Sequence, residues 1–351
     1  MGGIGVSARI LTEALRDPAS TASLDAAGWT ALLAIARAEQ LIGTLAHRLD
    51  GLPKPEAAER VLADARAAHE QGRVVALWEA EMARRALAGL DFPVVLLKGT
   101  AFVAAGLSAG VGRQIGDLDI LVPRERIEEA EAALLAAGWE WVKPDPYDDA
   151  YYRQWMHELP PLIHRDRDRM IDVHHTILPL TAKITPYPAQ MIELSIELEN
   201  GLRILRPEHM IVHAAAHLIA DGDMAGGLRN LWDIDRLCRE FSEAQDDFYL
   251  SVAEEAWHHN LLPAVVRALR LSRQIYGTPV IGCSSPIHVT FREQRSDALF
   301  RRRLLARDGW GRQTRRLTRF LFYLRSHWLR MPPAMLARHL WTKYRKGYRP
   351  A

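Results

Sequence analysis

The sequence predicts an α+β protein in which a small mixed β-sheet is enclosed by N-terminal and C-terminal helical regions. Three observations carry this expectation. Apolar residues recur at helical spacing through an Ala-, Leu-, Arg- and Glu-rich stretch from Ser7 to Leu90. Short apolar runs with β-branched residues, bounded by Gly and Pro, then gather in the middle of the chain. From Pro207 onward the helical period returns. The expected regions are therefore 1–90, 91–205 and 206–351, and elements segregated in this way define the α+β class.

The N-terminal region breaks at Asp17-Pro18 and again over Gly51–Pro55, where turn-forming residues interrupt the period. Pro55 suits the start of a long helix towards Leu90, with Val61, Leu62, Ala65, Ala68, Val74, Leu77 and Met82 as its expected buried stripe. Phe92–Leu97 reads as a buried strand running into a tight turn at Lys98-Gly99-Thr100, with a short helix over Ala101–Ala109. Gly106, Gly110, Gly112 and Gly116 suggest a flexible connector to a second strand, Asp117–Val122, which Pro123 stops. Arg124–Ala137 is an amphipathic helix closed by Gly138. Glu140–Val142, Pro161–His164 and Met170–His174 complete a sheet of about five strands. The last two are joined as a hairpin by the polar residues 165–169.

Composition narrows the function classes. With 48% hydrophobic and 25% charged residues in 351, the chain has the profile of a globular protein of about two domains. No apolar run approaches the ~18 residues of a membrane span, since His213 and His217 interrupt the richest stretch, Ile211–Ala220. The first twenty residues lack the features of a signal peptide, so a cytoplasmic location is expected. Two cysteines, Cys238 and Cys283, are too few for a disulfide framework and are read as buried or incidental. The formal charge of +2 hides an asymmetry: residues 291–351 hold 17 Lys/Arg against 3 Asp/Glu. That basic end must either fold against an acidic body or meet an anionic partner.

Asp-x-Asp occurs four times in the chain, so only context can single out a site. On a strand, Asp117 and Asp119 point to one face while Leu118 and Ile120 point to the core. Asp233 and Asp235, on a helix, do not face each other. Asp172 repeats the strand logic, sharing a face with His174 while Ile171 and Val173 turn inward. If the two strands are neighbours, three carboxylates converge, and like-charge repulsion then demands a cation or a proton. Magnesium, with manganese as substitute, is the natural compensator because it takes carboxylate and phosphate oxygens. On this reading, removing one crowded carboxylate should not harm the metal-free fold. His213 and His217, four apart on a helix, have a spacing compatible with a metal but are read first as packing.

Leu96-Leu97-Lys98-Gly99-Thr100, then Arg113 and Gly116-Asp117-Leu118-Asp119-Ile120-Leu121-Val122, then Ile171-Asp172-Val173-His174, resembles a bacterial family of largely uncharacterised nucleotidyltransferases of the DNA polymerase β-like fold. The resemblance covers about 85 to 245, with His217 and Asp233 at matching positions. It implies that Asp117, Asp119 and Asp172 hold the metal and serve catalysis, and that Lys98, Gly99, Thr100 and Arg113 contact the nucleotide. His174, His217 and Asp233 would line an acceptor pocket. The implied reaction moves a nucleoside monophosphate from an NTP to a hydroxyl or phosphate acceptor and releases pyrophosphate. The acceptor is a small molecule, a modified peptide, a protein or RNA. A metal-dependent sugar transferase using an NDP-sugar is the rival enzyme, and a non-catalytic nucleotide- or partner-binding module the rival outside catalysis.

Overall fold

A computed structural model describes residues 7–142, 145–280 and 290–330, with Trp341 and Arg345. The N-terminal region forms α1 (Arg9–Arg16), α2 (Ala26–Ala38), α3 (Ile42–Arg48) and the long α4 (Glu56–Ala86). Asp25 caps α2 by accepting the Gly28 N–H at 2.7 Å. The buried stripe of α4 differs from the expected one. Of the expected positions only Leu62 is fully buried, and it is joined by Ala58, His69, Ala76, Glu79, Ala80 and Ala83, while Val74 faces solvent. Helix α4 packs on several elements along its length, so small and polar residues are buried where backbones come close or a polar partner waits.

The sheet has seven strands, β1 (Val95–Leu96), β2 (Leu118–Leu121), β3 (Trp139–Trp141), β4 (Leu162–His164), β5 (Met170–His174), β6 (Ile196–Glu197) and β7 (Arg203–Ile204). Their order is β3-β4-β5-β2-β1-β7-β6. Strand β2 is buried along its whole length and lies between antiparallel β1 and parallel β5. Sequence reasoning missed β6 and β7, because two-residue strands carry no readable alternation. Between the strands lie α5 (Lys98–Ala104), α6 (Ile127–Ala136), α7 (Pro146–Trp155) and α8 (Pro188–Glu193). Helix α5 starts at Lys98, so Gly99 and Thr100 stand in its first turn rather than in a loop before it.

The glycine connector is not loose. Gly112 takes a φ of +68°, and a Cβ there would lie 2.3 Å from the Thr44 backbone nitrogen. Its N–H donates to His69 Nε2 at 3.0 Å, and His69 Nδ1 donates to the Arg113 carbonyl at 3.1 Å. A buried histidine thus holds the connector by both ring nitrogens, which explains its place in the α4 stripe.

The C-terminal region comprises α9 (Pro207–Ala215), a π-helical turn (Ala216–Asp221), α10 (Gly227–Ala244), α11 (Phe248–His258), α12 (Leu262–Tyr276), α13 (Phe291–Leu304) and α14 (Arg316–Arg330). Gly277, at a φ of +73°, terminates α12, and a Thr290/Glu293 capping box starts α13. Cys238 is buried in α10, and Cys283 lies outside the described residues. Among the described residues no helix is long and apolar enough to cross a membrane.

Candidate active site

The register of β2 on β5 places Asp119 opposite Asp172 and Leu121 opposite His174. Parallel pairing keeps these side chains on one face, so the shared-face expectation for the two strands becomes a physical cluster. Asp117, one residue before β2, joins it, and ligand atoms of Asp117, Asp119 and Asp172 all lie within 4.8 Å of one another.

The three carboxylates have different surroundings. Asp117 is exposed. Asp119 is buried, and its Oδ1 accepts from Lys98 Nζ at 2.6 Å and His174 Nε2 at 2.9 Å. Burial opposes its charge, but Lys98 and His174 outweigh burial and hold the carboxyl well below the usual range. Asp172 is the opposite case. Burial first, then the charges of Glu158 and Asp119, push its carboxyl up to about 7, and its Oδ1 is buried without a hydrogen-bond partner. An all-oxygen set with one orphaned buried oxygen fits a hard divalent ion. Asp172 therefore awaits a charge that Asp119 already receives from Lys98.

Lys98 reaches Asp119 because the Leu97 N–H donates to the Asp119 carbonyl at 3.0 Å, extending the β1–β2 ladder to the site. Its own φ is +49°, a left-handed conformation that a lysine adopts only when its surroundings enforce it. Burial works against its ammonium, yet Asp119 raises its pKa.

Lys98 also borders a cavity of about 110 Å³ between β1, α5, α9, the π-helical turn and α10. His213, His217, Asn230, Asp233 and Arg113 supply its polar wall, Phe102 and Met210 part of its apolar one. His217 and Asp233 thus meet in one pocket, while His174 stands on the sheet and is not part of its wall. Asn230 donates to His217 Nδ1 at 3.2 Å. Burial, reinforced by Lys98, pushes His217 down to about 3, so the ring is neutral. Arg113 pairs with Asp233, whose other oxygen lies 3.1 Å from Arg229. Gly99 leaves room for this arginine, since a Cβ there would lie 2.4 Å from Arg113 Nε. The expected nucleotide contacts are therefore divided: Lys98 and Arg113 face the cavity, whereas Thr100 lines a small cleft with Asp117 on the other side.

Sequence reasoning missed His157 and Glu158. Glu158 Oε2 lies 3.4 Å from His174 Nδ1, so His174 spans two carboxylates, and the His157 ring stacks 5.2 Å from it. These residues precede Pro160 in a segment without strand or helix period, and only tertiary structure brings them to the site. His174 thus bridges the carboxylates of Asp119 and Glu158, and with His157 and Glu158 it forms a set whose ligand atoms all lie within 4.8 Å of one another.

A further set, His209, Glu255 and His259, also has ligand atoms within 4.8 Å of one another. Its hydrogen bonding closes it. The Tyr187 N–H donates to His259 Nδ1 at 3.1 Å, so His259 carries its proton on Nε2, the atom facing His209 and Glu255. Glu255 is held by Arg206 and by His209 at 3.0 Å.

A family model described as "Uncharacterised nucleotidyltransferase" matches residues 25–277, well over half of the chain. No curated protein matches it.

Proposed function

The chain belongs to this uncharacterised nucleotidyltransferase family, and from that premise we propose that it transfers a nucleoside monophosphate from an NTP to a hydroxyl or phosphate acceptor, releasing pyrophosphate. One observation carries the proposal: Asp172, whose carboxylate clusters within 4.8 Å of those of Asp117 and Asp119, has a buried Oδ1 without a hydrogen-bond partner. Asp117, Asp119 and Asp172 would hold magnesium, or manganese in its place. The bound ion would supply positive charge beside the triphosphate oxygens. Asp172 would also accept the proton of the acceptor hydroxyl. Lys98 would offer its ammonium to phosphate oxygens from the cavity side, and Thr100 its hydroxyl from the cleft it shares with Asp117. Arg113 and Gly99 would shape the nucleotide side, and neutral His217 with Asp233 the acceptor side. Residues 91–205 would form the catalytic core, with the cavity wall completed by residues of the 206–351 region.

The test follows the label. With magnesium and cell extract, α-labelled NTP must mark an acceptor and pyrophosphate must appear. Sugar label from an NDP-sugar entering an acceptor, while α-label never does, would replace this reading with sugar transfer.

A further inference from the structure

We propose that α14 and the arginines before it form a docking surface for an anionic lipid membrane. Leu317, Phe320, Leu321, Leu324 and Trp328 recur along α14 at spacings of three and four, so they form one stripe. All five are between 44% and 72% exposed, whereas the opposite face buries Thr318, Phe322 and Ser326. A helix of this kind ordinarily turns its apolar stripe inward; here the stripe faces out.

Charge identifies what covers it. Arg9, Arg16, Arg301, Arg302 and Arg315 line a cleft of about 420 Å³ whose one acidic wall residue is Glu13. All five are exposed, and none has a carboxylate within 4.0 Å among the described residues. Residues 1–6, 143–144, 281–289 and 331–351 contain no Asp or Glu. The cleft meets the stripe along the chain: Arg315 lines the one, and Leu317, two residues on, opens the other.

The acids of α13 are already engaged, Asp297 by Arg267 and Arg270, and Glu293 by Arg270. The basic end therefore meets the body through α12, through the Arg307–Glu39 ion pair at 2.6 Å and through Arg325 on the π-helical turn, and the five arginines of the cleft remain as a surplus of positive charge outside. A second copy of the chain would bring the same positive charge against it. A nucleic-acid backbone would suit the arginines but has no use for three exposed leucines. The boundary between anionic headgroups and acyl chains takes both, with arginines at the phosphates and Leu, Phe and Trp below them.

Helix α14 is rigidly tied to the body. Arg325 donates to the Ile219 carbonyl at 2.5 Å and the Gly222 carbonyl at 3.2 Å, gripping the π-helical turn that carries His217. Docking would therefore hold the cavity at a fixed height above the lipid surface.

The experiment is co-sedimentation of the full chain with vesicles of phosphatidylcholine alone, or with about 30% phosphatidylglycerol, at about 0.1 M salt. The expected result is binding to the anionic vesicles alone. It should weaken about tenfold or more in Leu317→Gln/Phe320→Gln/Leu324→Gln and likewise in Arg301→Gln/Arg302→Gln/Arg315→Gln, with both melting temperatures kept. No binding to anionic vesicles overturns the proposal. So does full binding by the apolar variant that inorganic pyrophosphate displaces, which would make the cleft a site for free phosphates. A dimer in sedimentation velocity that the apolar variant loses would assign the stripe to a second copy.

Discussion

Among the described residues three groups of side chains have potential ligand atoms within 4.8 Å of one another, and two of them make a contrast, Asp117–Asp119–Asp172 on the sheet and His209–Glu255–His259 between α9 and α11, the third being His157–Glu158–His174 beside the first. In the histidine group the Tyr187 N–H occupies one nitrogen of His259 and so places a proton on the other, while Arg206 neutralises Glu255. The group ties a loop to two helices. In the aspartate group Asp119 is satisfied by Lys98 and His174, whereas Asp172 keeps a buried oxygen without a donor. Closeness of ligand atoms is thus a poor guide; what each atom already holds decides.

The sharpest way to break this comparison is Asp117→Asn. This residue is exposed and has no hydrogen bond or ion pair among the described residues, so turnover of labelled NTP should fall about 10³-fold with the melting temperature unchanged. Asp119→Asn should also abolish turnover, but at a cost in stability, because Lys98 and His174 lose their shared acceptor. The expectation that Asp117 or Asp119 can be replaced with little loss of stability thus divides, because Lys98 and His174 pair with Asp119. Normal activity in both variants would remove the aspartate group from the reaction.

Asp172→Asn should cut turnover about 10²-fold while nucleotide affinity falls much less, as for a lost proton acceptor. Equal losses in steady-state turnover and in calorimetric binding would reassign it to holding the ion alone.

Glu255→Gln tests the other group. Chemical denaturation should report a loss of about 1–3 kcal/mol, since Arg206 and His209 lose a charged acceptor, with turnover and magnesium binding as in the parent. Reduced magnesium binding would place an ion there after all.

The smallest effect is in pH. A carboxyl raised to about 7 contributes stability that is full below the ordinary carboxylate range and lost as pH rises through 7. The metal-free protein should therefore melt at progressively lower temperature from about pH 4 to 7 through this group, and magnesium should restore most where the carboxyl is ionised. Differential scanning fluorimetry of Asp172→Asn should show a flatter profile; an unchanged one would place the titration elsewhere.

Much of this was legible in the sequence, for identifiable reasons. Leu118 and Ile120 fix the face of β2, and Ile171 and Val173 fix that of β5, so the convergence of Asp117, Asp119 and Asp172 follows once the strands pair. The family model agrees with the resemblance read from the motifs, and the mixed sheet among helices with the expected α+β class. What stayed hidden was long-range and polar. Lys98 as the partner of Asp119, Asp233 as that of Arg113 and Glu158 as that of His174 join residues 21, 120 and 16 positions apart, and no local period encodes such pairs. The stripe of α4 was misread for a related reason: His69 is buried for its two backbone bonds, not for apolarity.

The ammonium of Lys98 has a consequence for how the molecule comes into being. Structural zinc modules acquire their shape only with the ion, so their assembly waits on its supply. Here the chain brings its own counter-charge to Asp119, from a residue in the left-handed conformation beside the ladder. If the three aspartates hold a divalent ion as proposed, the nascent protein would close its sheet in a cell starved of such ions and take them up later, one fold serving both the idle and the loaded state. Chelation would then be a reversible way of silencing the proposed activity, and the same chains should resume work when the ion returns, without passing through refolding.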